Sequence, residues 1–337
     1  MTCSRRIARL RTLACAALAA WAGACAAEEV LRGAGATFPA PVFDAWAAAH
    51  ERATGVAVRY DPVGSGLGIE LATRRQADFG ATDAPLDAER LAAAGLTQFP
   101  VLIGAVVPVV NIAGIAPGRL VLDAAVLSAI YRGRIANWRD PAIAALNPTL
   151  QLPDARITVV HRADASGTTW LWSHWLGESD PAWKTVVGEG TTLPWPVGAE
   201  GLGNEGVASL VRRTRAAIGY VAYAYARQHH LSDVALPAHD GATVRADRAS
   251  FEAAVAAARW DQPRDLTQGL INAPGPRSWP IVGATFVLLP ADGARNERAL
   301  AFFDWAFDAG GPAATALDYV PLPEAAVALV RRSRVKP

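Results

Sequence analysis

Three short segments of the sequence share one local design. Each has an apolar run rich in β-formers, a glycine-containing turn with a hydroxyl side chain, and then a stretch with the apolar spacing of a helix. They are GATFP at 35–39, GSGLG at 64–68 and SGTT at 166–169. Short strands that alternate with helices are typical of α/β domains, because each helix packs back onto the sheet that its strand joins. The design therefore predicts an α/β fold.

Other segments predict individual elements. The spacing of apolar residues predicts helices over 68–76 and 120–131, and a late strand over 281–289. The run 101–112 is rich in β-formers but contains Pro108, which has no N–H to donate to a neighbouring strand. We therefore expect Pro108 at a sheet edge, or where the chain crosses between two parts of the molecule.

The start of a helix is suited to holding an anion. Its first N–H groups have no partner within the helix, and the helix dipole favours negative charge there. Glycine allows the backbone to approach a ligand closely, and Ser or Thr hydroxyls add donors. Ordinary capping by Ser or Thr is the simpler explanation for any one of the three turns taken alone. The turns by themselves therefore do not decide between an anion site and three capped helices.

Arg162 favours the anion site. It follows a predicted strand and stands four residues before Ser166. Its guanidinium is a planar fork of donors that fits two oxygens of an oxyanion. Asp164 lies between the two residues and is a candidate to hold the Arg162 side chain in position. The alternative is a surface Arg–Asp pair, which would contribute little to stability.

Asp83, in ATDAP at 81–85, has the opposite character. An ionised carboxylate only accepts hydrogen bonds and repels an anion. If Asp83 faces the site, the ligand must bring a proton, which hydrogen phosphate carries near neutral pH and sulfate lacks. A site with many donors and one carboxylate would therefore select hydrogen phosphate over sulfate, because the repulsion between sulfate and the carboxylate would cost on the order of several kcal/mol. Alternatively, Asp83 caps a helix that begins near Pro85.

Residues 1–26 have the features of a secretory signal. A basic start is followed by an apolar run from Leu13 to Ala24 and by Ala-Cys-Ala, a typical cleavage pattern. The run is too short to span a bilayer. The alternatives are a buried N-terminal helix, twin-arginine export through the arginine pair at 5–6, and lipid attachment at Cys25. All three cysteines lie in this leader, so the processed chain has none.

Charge and motif content exclude several function classes. The whole sequence has 32 basic and 31 acidic residues, and four of the basic ones but no acidic one lie in residues 1–26. The processed chain therefore carries about −3, which argues against a nucleic-acid binder. The sequence has no H-E-x-x-H and no cysteine-based metal pattern, and Ser166 is not within G-x-S-x-G. We therefore expect no metal, no cofactor and no catalytic residue.

The same residues occur in longer segments that resemble one family. The segments are LRGAGATFPAP at 31–41, GSG at 64–66, DFGATDAPL at 78–86, RADASGT at 162–168, AIGYV at 217–221 and FFDWA at 302–306. They resemble the periplasmic phosphate-binding proteins of bacterial phosphate ABC importers (PstS-like). The similarity covers nearly the whole chain beyond the leader.

The resemblance implies a type II periplasmic binding protein fold, in which two α/β lobes are joined by two crossing segments. The first lobe would comprise residues 27–108 and 281–337, and the second residues 109–280. Inorganic phosphate would bind between the lobes and pass to the permease subunits of an ABC importer in the inner membrane. The resemblance further implies a monomeric periplasmic protein that is not an enzyme, needs no cofactor and binds no nucleic acid.

Carried over position by position, the resemblance also implies a set of phosphate ligands. They are Thr37, Phe38 through its backbone N–H, Ser65 and Asp83 from the first lobe, and Arg162, Ser166, Gly167 and Thr168 from the second. Asp164 is expected behind Arg162 as its partner. The sequence departs from the usual family pattern at residues 66–67, at Ala165 and at His161. These departures affect the residues around the ligand and not the kind of ligand that the family binds.

Two other functions fit part of the pattern. A receptor for another oxyanion, such as sulfate or molybdate, belongs to the same class of protein. If the protein were a secreted phosphate-ester hydrolase, Arg162, Ser166 and Asp83 would form its catalytic site. No metal cluster and no base that would activate Ser166 are apparent in the sequence, so the hydrolase is the less favoured alternative.

Overall fold

The structure is a computed structural model that describes residues 30–260, 270–293 and 296–334. The predicted leader, residues 1–26, lies outside the described residues. Strands and short helices alternate along the described chain, as the turn pattern predicts. None of the helices in the described ranges is both long and apolar enough to pass through a bilayer.

The strands in chain order are β1 Leu31–Gly35, β2 Val58–Asp61, β3 Phe79–Thr82, β4 Leu96–Val110, β5 Thr158–Arg162, β6 Ala199–Gly201, β7 Ala217–Ala222, β8 Ser232–Asp233, β9 Leu236–Pro237, β10 Thr243–Val244 and β11 Val282–Pro290. The helices in chain order are α1 Ala40–Thr54, α2 Ser65–Thr73, α3 Ala88–Ala94, α4 Ala124–Tyr131, α5 Pro141–Leu146, α6 Gly167–Ser179, α7 Pro181–Val186, α8 Gly203–Arg213, α9 Tyr223–Gln228, α10 Arg248–Ala257, α11 Glu297–Ala309, α12 Gly311–Ala316 and α13 Glu324–Arg334.

Two predicted helix starts are wrong by several residues. The helix predicted at 68–76 begins earlier, at Ser65. The helix predicted at 120–131 begins only at Ala124, because the Asp123 side chain accepts the Val126 N–H at 2.8 Å and caps it there. Periodicity alone did not distinguish the capping residue from the helix that it caps.

Nine strands form one sheet with two parallel parts. The order is β2-β1-β3-β11-β4-β7-β5-β6, and β8 also pairs with β4. β1 runs parallel to β2 and β3, and β5 runs parallel to β6 and β7. β4 and β11 are antiparallel to their neighbours and lie between the two parts. We call the elements built on β1, β2, β3 and β11 the first half, and those built on β5, β6 and β7 the second half.

The strand β4 belongs to both halves. Its residues from Leu96 to Ala105 pair with β11, and its residues from Val106 to Val110 pair with β7. Pro108 lies in the second of these stretches, opposite Tyr220, and its carbonyl accepts the Val234 N–H at 3.0 Å. Pro108 is therefore not at a sheet edge, and that prediction is wrong. The alternative, that the chain crosses here between two parts of the molecule, is confirmed, because β4 passes from the first half to the second just before Pro108.

Each half has its own aromatic core. In the first half the rings of Phe43, Tyr60, Phe79, Phe302 and Phe303 contact one another. In the second half the contacting rings are those of Tyr131, Trp172, Trp195 and Tyr220. Aromatic pairs in this geometry stabilise beyond their buried area, so each half offers a firmly packed support for side chains at the boundary.

Candidate anion-binding site

The predicted ligand residues meet at the boundary between the two halves, and all are shielded from solvent. The side-chain ligands, each in a residue no more than 6% exposed, are Thr37, Ser65, Asp83, Arg162, Ser166 and Thr168. They follow β1 and β3, end β5, or stand at the beginning of α2 and α6. Parallel strands bring their carboxyl ends to the same edge of a sheet, which is the usual position of a ligand in such folds.

The glycines of the first turn serve the packing of β1 against β3. A Cβ on Gly33 would lie 2.0 Å from the Phe79 ring, and one on Gly35 would lie 2.2 Å from the Ala81 carbonyl oxygen. Gly35 also has φ +147°, a backbone conformation that residues with a side chain rarely adopt. These glycines allow β1 to end close to β3, where Thr37 and Asp83 follow.

Capping explains one of the three hydroxyl residues. The Ser166 Oγ accepts the Thr169 N–H at 3.1 Å and caps α6. Thr37 and Ser65 do not cap α1 and α2, since neither helix has a side-chain cap. Instead, the Ser65 Oγ accepts the Gly167 N–H at 3.0 Å across the boundary between the halves. The Gly167 N–H is therefore already paired in this structure.

Arg162 is buried and held by Asp164, as predicted. Its Nε donates to Asp164 Oδ1 at 2.8 Å, its Nη2 donates to Asp164 Oδ2, and its Nη1 donates to Thr168 Oγ1 at 3.3 Å. Burial alone would raise the pKa of Asp164, but the Arg162 hydrogen bonds and charge lower it overall. A guanidinium has five N–H groups in a fixed fork, so two have no partner within the described part of the chain and are available to an anion.

Asp83 is buried beside this cation and does not cap a helix. The next helix along the chain, α3, is capped instead by Asp87, whose side chain accepts the Arg90 N–H at 2.8 Å. The carboxylate oxygen Oδ1 of Asp83 accepts the Thr285 hydroxyl at 2.7 Å. Burial raises the pKa of Asp83 to about 7, against the opposing effects of the Thr285 hydrogen bond and the Arg162 charge. The carboxyl group thus changes its protonation state near neutral pH.

The backbone of α6 lies directly against Asp83. A Cβ on Gly167 would be 2.6 Å from the Asp83 Cβ and 2.7 Å from the Asp83 nitrogen. Next to it, the Gly66 N–H donates to the Ala165 carbonyl at 3.0 Å, again from the first half to the second. These contacts leave no room for a side chain at position 167, so the helix start approaches Asp83 through glycine.

Three residues of the site were missed by the sequence analysis. Thr285, on β11, was detectable only as a hydroxyl in an otherwise apolar strand. Asn204, at the beginning of α8, is fully buried and donates through Nδ2 to Thr37 Oγ1 at 2.8 Å. Tyr225 donates its hydroxyl to the Thr37 carbonyl at 2.8 Å. Asn204 follows a glycine-rich stretch, GLG at 201–203, which was the available signal.

The departures from the family pattern lie around the site. The His161 ring stacks on Trp195 with centroids 4.8 Å apart, and burial lowers the pKa of His161. Ala165 presents its carbonyl to Gly66 and thereby joins the two halves. Within the described ranges, the Phe38 N–H has no protein acceptor, so it is available to donate to a ligand.

The side chains that meet at the boundary between the halves are mostly hydrogen-bond donors. Among the described residues, no group of three or more His, Cys, Asp or Glu side chains is placed to hold a metal ion. The cluster combines hydroxyls, backbone N–H groups and one guanidinium with the carboxylate of Asp83. This arrangement fits a small oxyanion that is rich in acceptors and carries at least one proton.

The chain is similar in sequence to known binding proteins. Residues 22–309 match the family model of the PBP superfamily domain. The chain is 44% identical to the phosphate-binding protein PstS of Haemophilus influenzae, over 89% of this chain and 91% of that protein. It is 46% identical to the phosphate-binding protein PstS of Pasteurella multocida, over 88% of this chain and 87% of that protein.

Solved structures of similar fold include two described as phosphate-binding proteins. One is a high-affinity periplasmic phosphate-binding protein solved with phosphate, with a TM-score of 0.71 and 22% identity over 91% of this chain and 94% of that chain. Another, from Stenotrophomonas maltophilia, has a TM-score of 0.66 and 18% identity over 90% of this chain and 93% of that chain. At these identities the likeness shows the fold, which is the two-lobe type II fold.

Proposed function

Because the chain belongs to the PstS family of phosphate-binding proteins, within the PBP superfamily, we propose that it captures inorganic phosphate between two lobes and delivers it to an ABC importer. The ligand is hydrogen phosphate, and the protein is a binding component of transport rather than a catalyst. The observation that carries this function is the buried pairing of many donors with one carboxylate, Asp83, beside Arg162.

The proposed ligand set is the predicted one. Charged groups come from Arg162 and Asp83, and the Gly167 N–H would exchange its bond to the Ser65 oxygen for one to phosphate. The remaining hydroxyl or backbone donors come from Thr37, Phe38, Ser65, Ser166 and Thr168. The two free N–H groups of Arg162 would bind two phosphate oxygens, because a guanidinium fork matches that geometry. Asp164 fixes the plane of the guanidinium from behind through its two hydrogen bonds.

Asp83 accounts for the choice of phosphate. One proton must lie between the Asp83 carboxylate and the nearest phosphate oxygen, or the two negative groups repel each other. Phosphate supplies this proton near neutral pH, and the Asp83 pKa of about 7 allows the carboxyl group to share it. Sulfate arrives without a proton, so it binds only when Asp83 itself is protonated. Discrimination against sulfate is therefore expected to be strongest above about pH 7.

The two lobes are proposed to be residues 27–108 with 281–337, and residues 109–280. The change of partner along β4, from β11 to β7 after Ala105, supports a boundary there. The contact between Val106 N–H and the Ile281 carbonyl, at 2.9 Å, joins the two crossing segments. Hinge motion about these segments would open the cleft and admit the ligand.

Location and partners follow from the same family. We propose a periplasmic monomer, exported by the signal over residues 1–26, that docks on the permease subunits of the importer. Mass measurement of the secreted protein would give the cleavage position and would reveal a lipid on Cys25. Retention of residues 1–26 in a cytoplasmic protein would contradict this location.

Calorimetry with phosphate and with sulfate tests the function. At pH 8 phosphate is expected to bind tightly with a stoichiometry of one, and sulfate at least about 100-fold more weakly, since opposed like charges cost several kcal/mol. Equal affinities would refute the role of Asp83, and tight binding of molybdate or sulfate alone would replace phosphate with that oxyanion. Turnover of a generic phosphate ester by the purified protein would refute a purely binding role.

A further inference from the structure

The side-chain amide of Asn204 has a fixed orientation. Its Oδ1 lies 2.7 Å from the backbone nitrogen of Ala222, which is only a donor, so the oxygen of the amide must be on that side. The Nδ2 group therefore faces the site. Its two hydrogens are directed to Thr37 Oγ1 at 2.8 Å and to Thr168 Oγ1 at 3.2 Å. Each of these threonines comes from a different half of the molecule.

Both threonine oxygens are fully occupied as acceptors. Thr37 Oγ1 receives the Asn204 backbone N–H at 3.2 Å in addition to Nδ2. Thr168 Oγ1 receives the Arg162 Nη1 at 3.3 Å in addition to the Asn204 Nδ2. A hydroxyl has two lone pairs and one hydrogen. With both lone pairs engaged, neither hydroxyl donates to another group among the described residues, so each hydrogen is available to an external acceptor.

We propose that Asn204 is a positioning residue that makes the Thr37 and Thr168 hydroxyls obligatory donors to the bound anion. The inference rests on the proposed phosphate site and identifies how its specificity arises. A hydroxyl that is free to rotate accepts a ligand proton as readily as it donates its own. Asn204 removes that freedom at two positions. Neither threonine can then accept a ligand proton, which favours the Asp83 carboxylate as the acceptor of the single proton of the oxyanion.

The isosteric substitution Asn204→Asp tests the orientation directly. It keeps the shape of the side chain but replaces the Nδ2 donor with an acceptor, which would draw the threonine hydrogens away from the ligand. We expect the Kd for phosphate at pH 8 to rise by about 100-fold or more, because two hydrogen bonds to a charged group are lost and a carboxylate is added beside the anion. Asn204→Ala adds no charge and lets the hydroxyls rotate, so its Kd should rise by only about 10-fold. An unchanged Kd in Asn204→Ala would overturn the proposal.

Asn147→Asp is the matched control. Asn147 is also a buried amide of the second half, but its Nδ2 donates to the carbonyls of Val121 and Ile143. This substitution also buries a carboxylate, and we expect it to lower the melting temperature and leave the phosphate Kd within about threefold of the unmodified protein. A loss of affinity as large as that of Asn204→Asp would overturn the assignment.

A double-mutant cycle with Thr37→Val provides a readout that packing does not predict. In the unmodified background Thr37→Val should raise the phosphate Kd by about 10-fold, and in the Asn204→Asp background it should cause no further loss, because the hydroxyl no longer donates. Additive losses would overturn the proposal. If Asn204→Asp shows no cooperative melting, the cycle is run with Asn204→Ala, where Thr37→Val should cost clearly less than about 10-fold because the rotating hydroxyl donates only part of the time, and a full loss of about 10-fold would overturn the proposal. Absence of phosphate binding by the unmodified protein would instead refute the proposed function itself.

Discussion

At the scale of single residues, the site depends on one cation and one carboxylate in a nearly dry environment. Arg162 and Asp83 are 4% and 1% exposed. At such burial neither group is screened by water, and each is stabilised mainly by its neighbours. Arg162 has Asp164 as a permanent partner, whereas Asp83 has only the Thr285 hydroxyl and the more distant charge of Arg162. We therefore expect Asp83 to be the residue that responds to the ligand and to pH.

Removal of the Arg162 fork should abolish high-affinity binding. Truncating one partner of a buried, hydrogen-bonded charge pair costs about 2–5 kcal/mol, so Arg162→Ala should raise the phosphate Kd by roughly 30-fold to several thousand-fold. Arg162→Lys keeps the charge but loses the fork and should also weaken binding. Arg132→Lys, at the Asp180 ion pair 3.5 Å long elsewhere in the second half, is the control. Calorimetry at pH 8 makes the comparison, and a Kd unchanged by Arg162→Lys would contradict bidentate binding.

The substitution Asp83→Asn should erode selectivity more than affinity. An amide at this position no longer repels sulfate, so the ratio of the sulfate and phosphate Kd values should fall by at least about 10-fold at pH 8. Asp233→Asn is the control, since burial also raises the pKa of that carboxyl but it lies on β8, away from the site. Sulfate that stays excluded from Asp83→Asn would mean that selectivity comes from elsewhere.

The same carboxyl group makes stability depend on pH. Because burial raises the pKa of Asp83 from 3.8 to about 7, the folded protein holds a proton that the unfolded chain has lost across this range. Stability without ligand should therefore fall as pH rises from about 4 to about 7, by up to about 4 kcal/mol from this group. Urea unfolding across this range should show a flatter dependence for Asp83→Asn. Identical slopes for the two proteins would contradict the raised pKa.

At the scale of elements, the helix α6 reaches the site because its first residue has no side chain. Gly167 brings the helix start, with its favourable dipole, against Asp83 and Ser65. The same helix is capped by Ser166 and packs its Trp172 on Tyr220, with the rings 5.0 Å apart. One short element thus joins the aromatic core of the second half to a backbone contact with the first.

A single methyl group at position 167 should prevent this approach. In Gly167→Ala the new Cβ would lie 2.6 Å from the Asp83 Cβ, which cannot move without the backbone. We expect the phosphate Kd to rise by at least about 10-fold with little change in helix stability, since Ala is a better helix former than Gly. Gly311→Ala is the control, because Gly311 also begins a helix but its added Cβ would have its nearest neighbour 3.8 Å away. Equal affinities of the two variants would show that the contact with Asp83 does not matter.

At the scale of the whole molecule, the site exists only where the halves meet. Contacts between the halves include Gly66 with Ala165, Ser65 with Gly167 and Thr37 with Tyr225. The ligand would therefore be enclosed by the same bonds that hold the halves together. Opening of the cleft must break these bonds, so they should govern the rate at which phosphate leaves.

Substitution of two buried tyrosines should distinguish contacts that close the cleft from contacts that only stabilise the fold. Tyr225 donates to the Thr37 carbonyl across the boundary at 2.8 Å, whereas Tyr319 donates to the Phe38 carbonyl at 2.5 Å within the first half. Tyr225→Phe should speed phosphate release by roughly 3- to 10-fold, because it removes one hydrogen bond that holds the two halves together. Tyr319→Phe should mainly lower the melting temperature. Stopped-flow tryptophan fluorescence gives the release rates, and equal rates for the two variants would argue against Tyr225 as a closing contact.

The sequence by itself determined the α/β class and predicted opposed roles for Arg162 and Asp83, whereas the full set of predicted ligands came from the resemblance to the family. The sequence predictions rest on local signals: glycine in a turn, a hydroxyl before a helix, and the sign of a charge after a strand. The tertiary structure decided which partners those residues have. Asn204 is 167 positions from Thr37, and Thr285 is 202 positions from Asp83. Such contacts depend on how the strands order themselves in the sheet, which no local pattern encodes. Burial, and with it the Asp83 pKa of about 7, likewise arises only when the two halves meet.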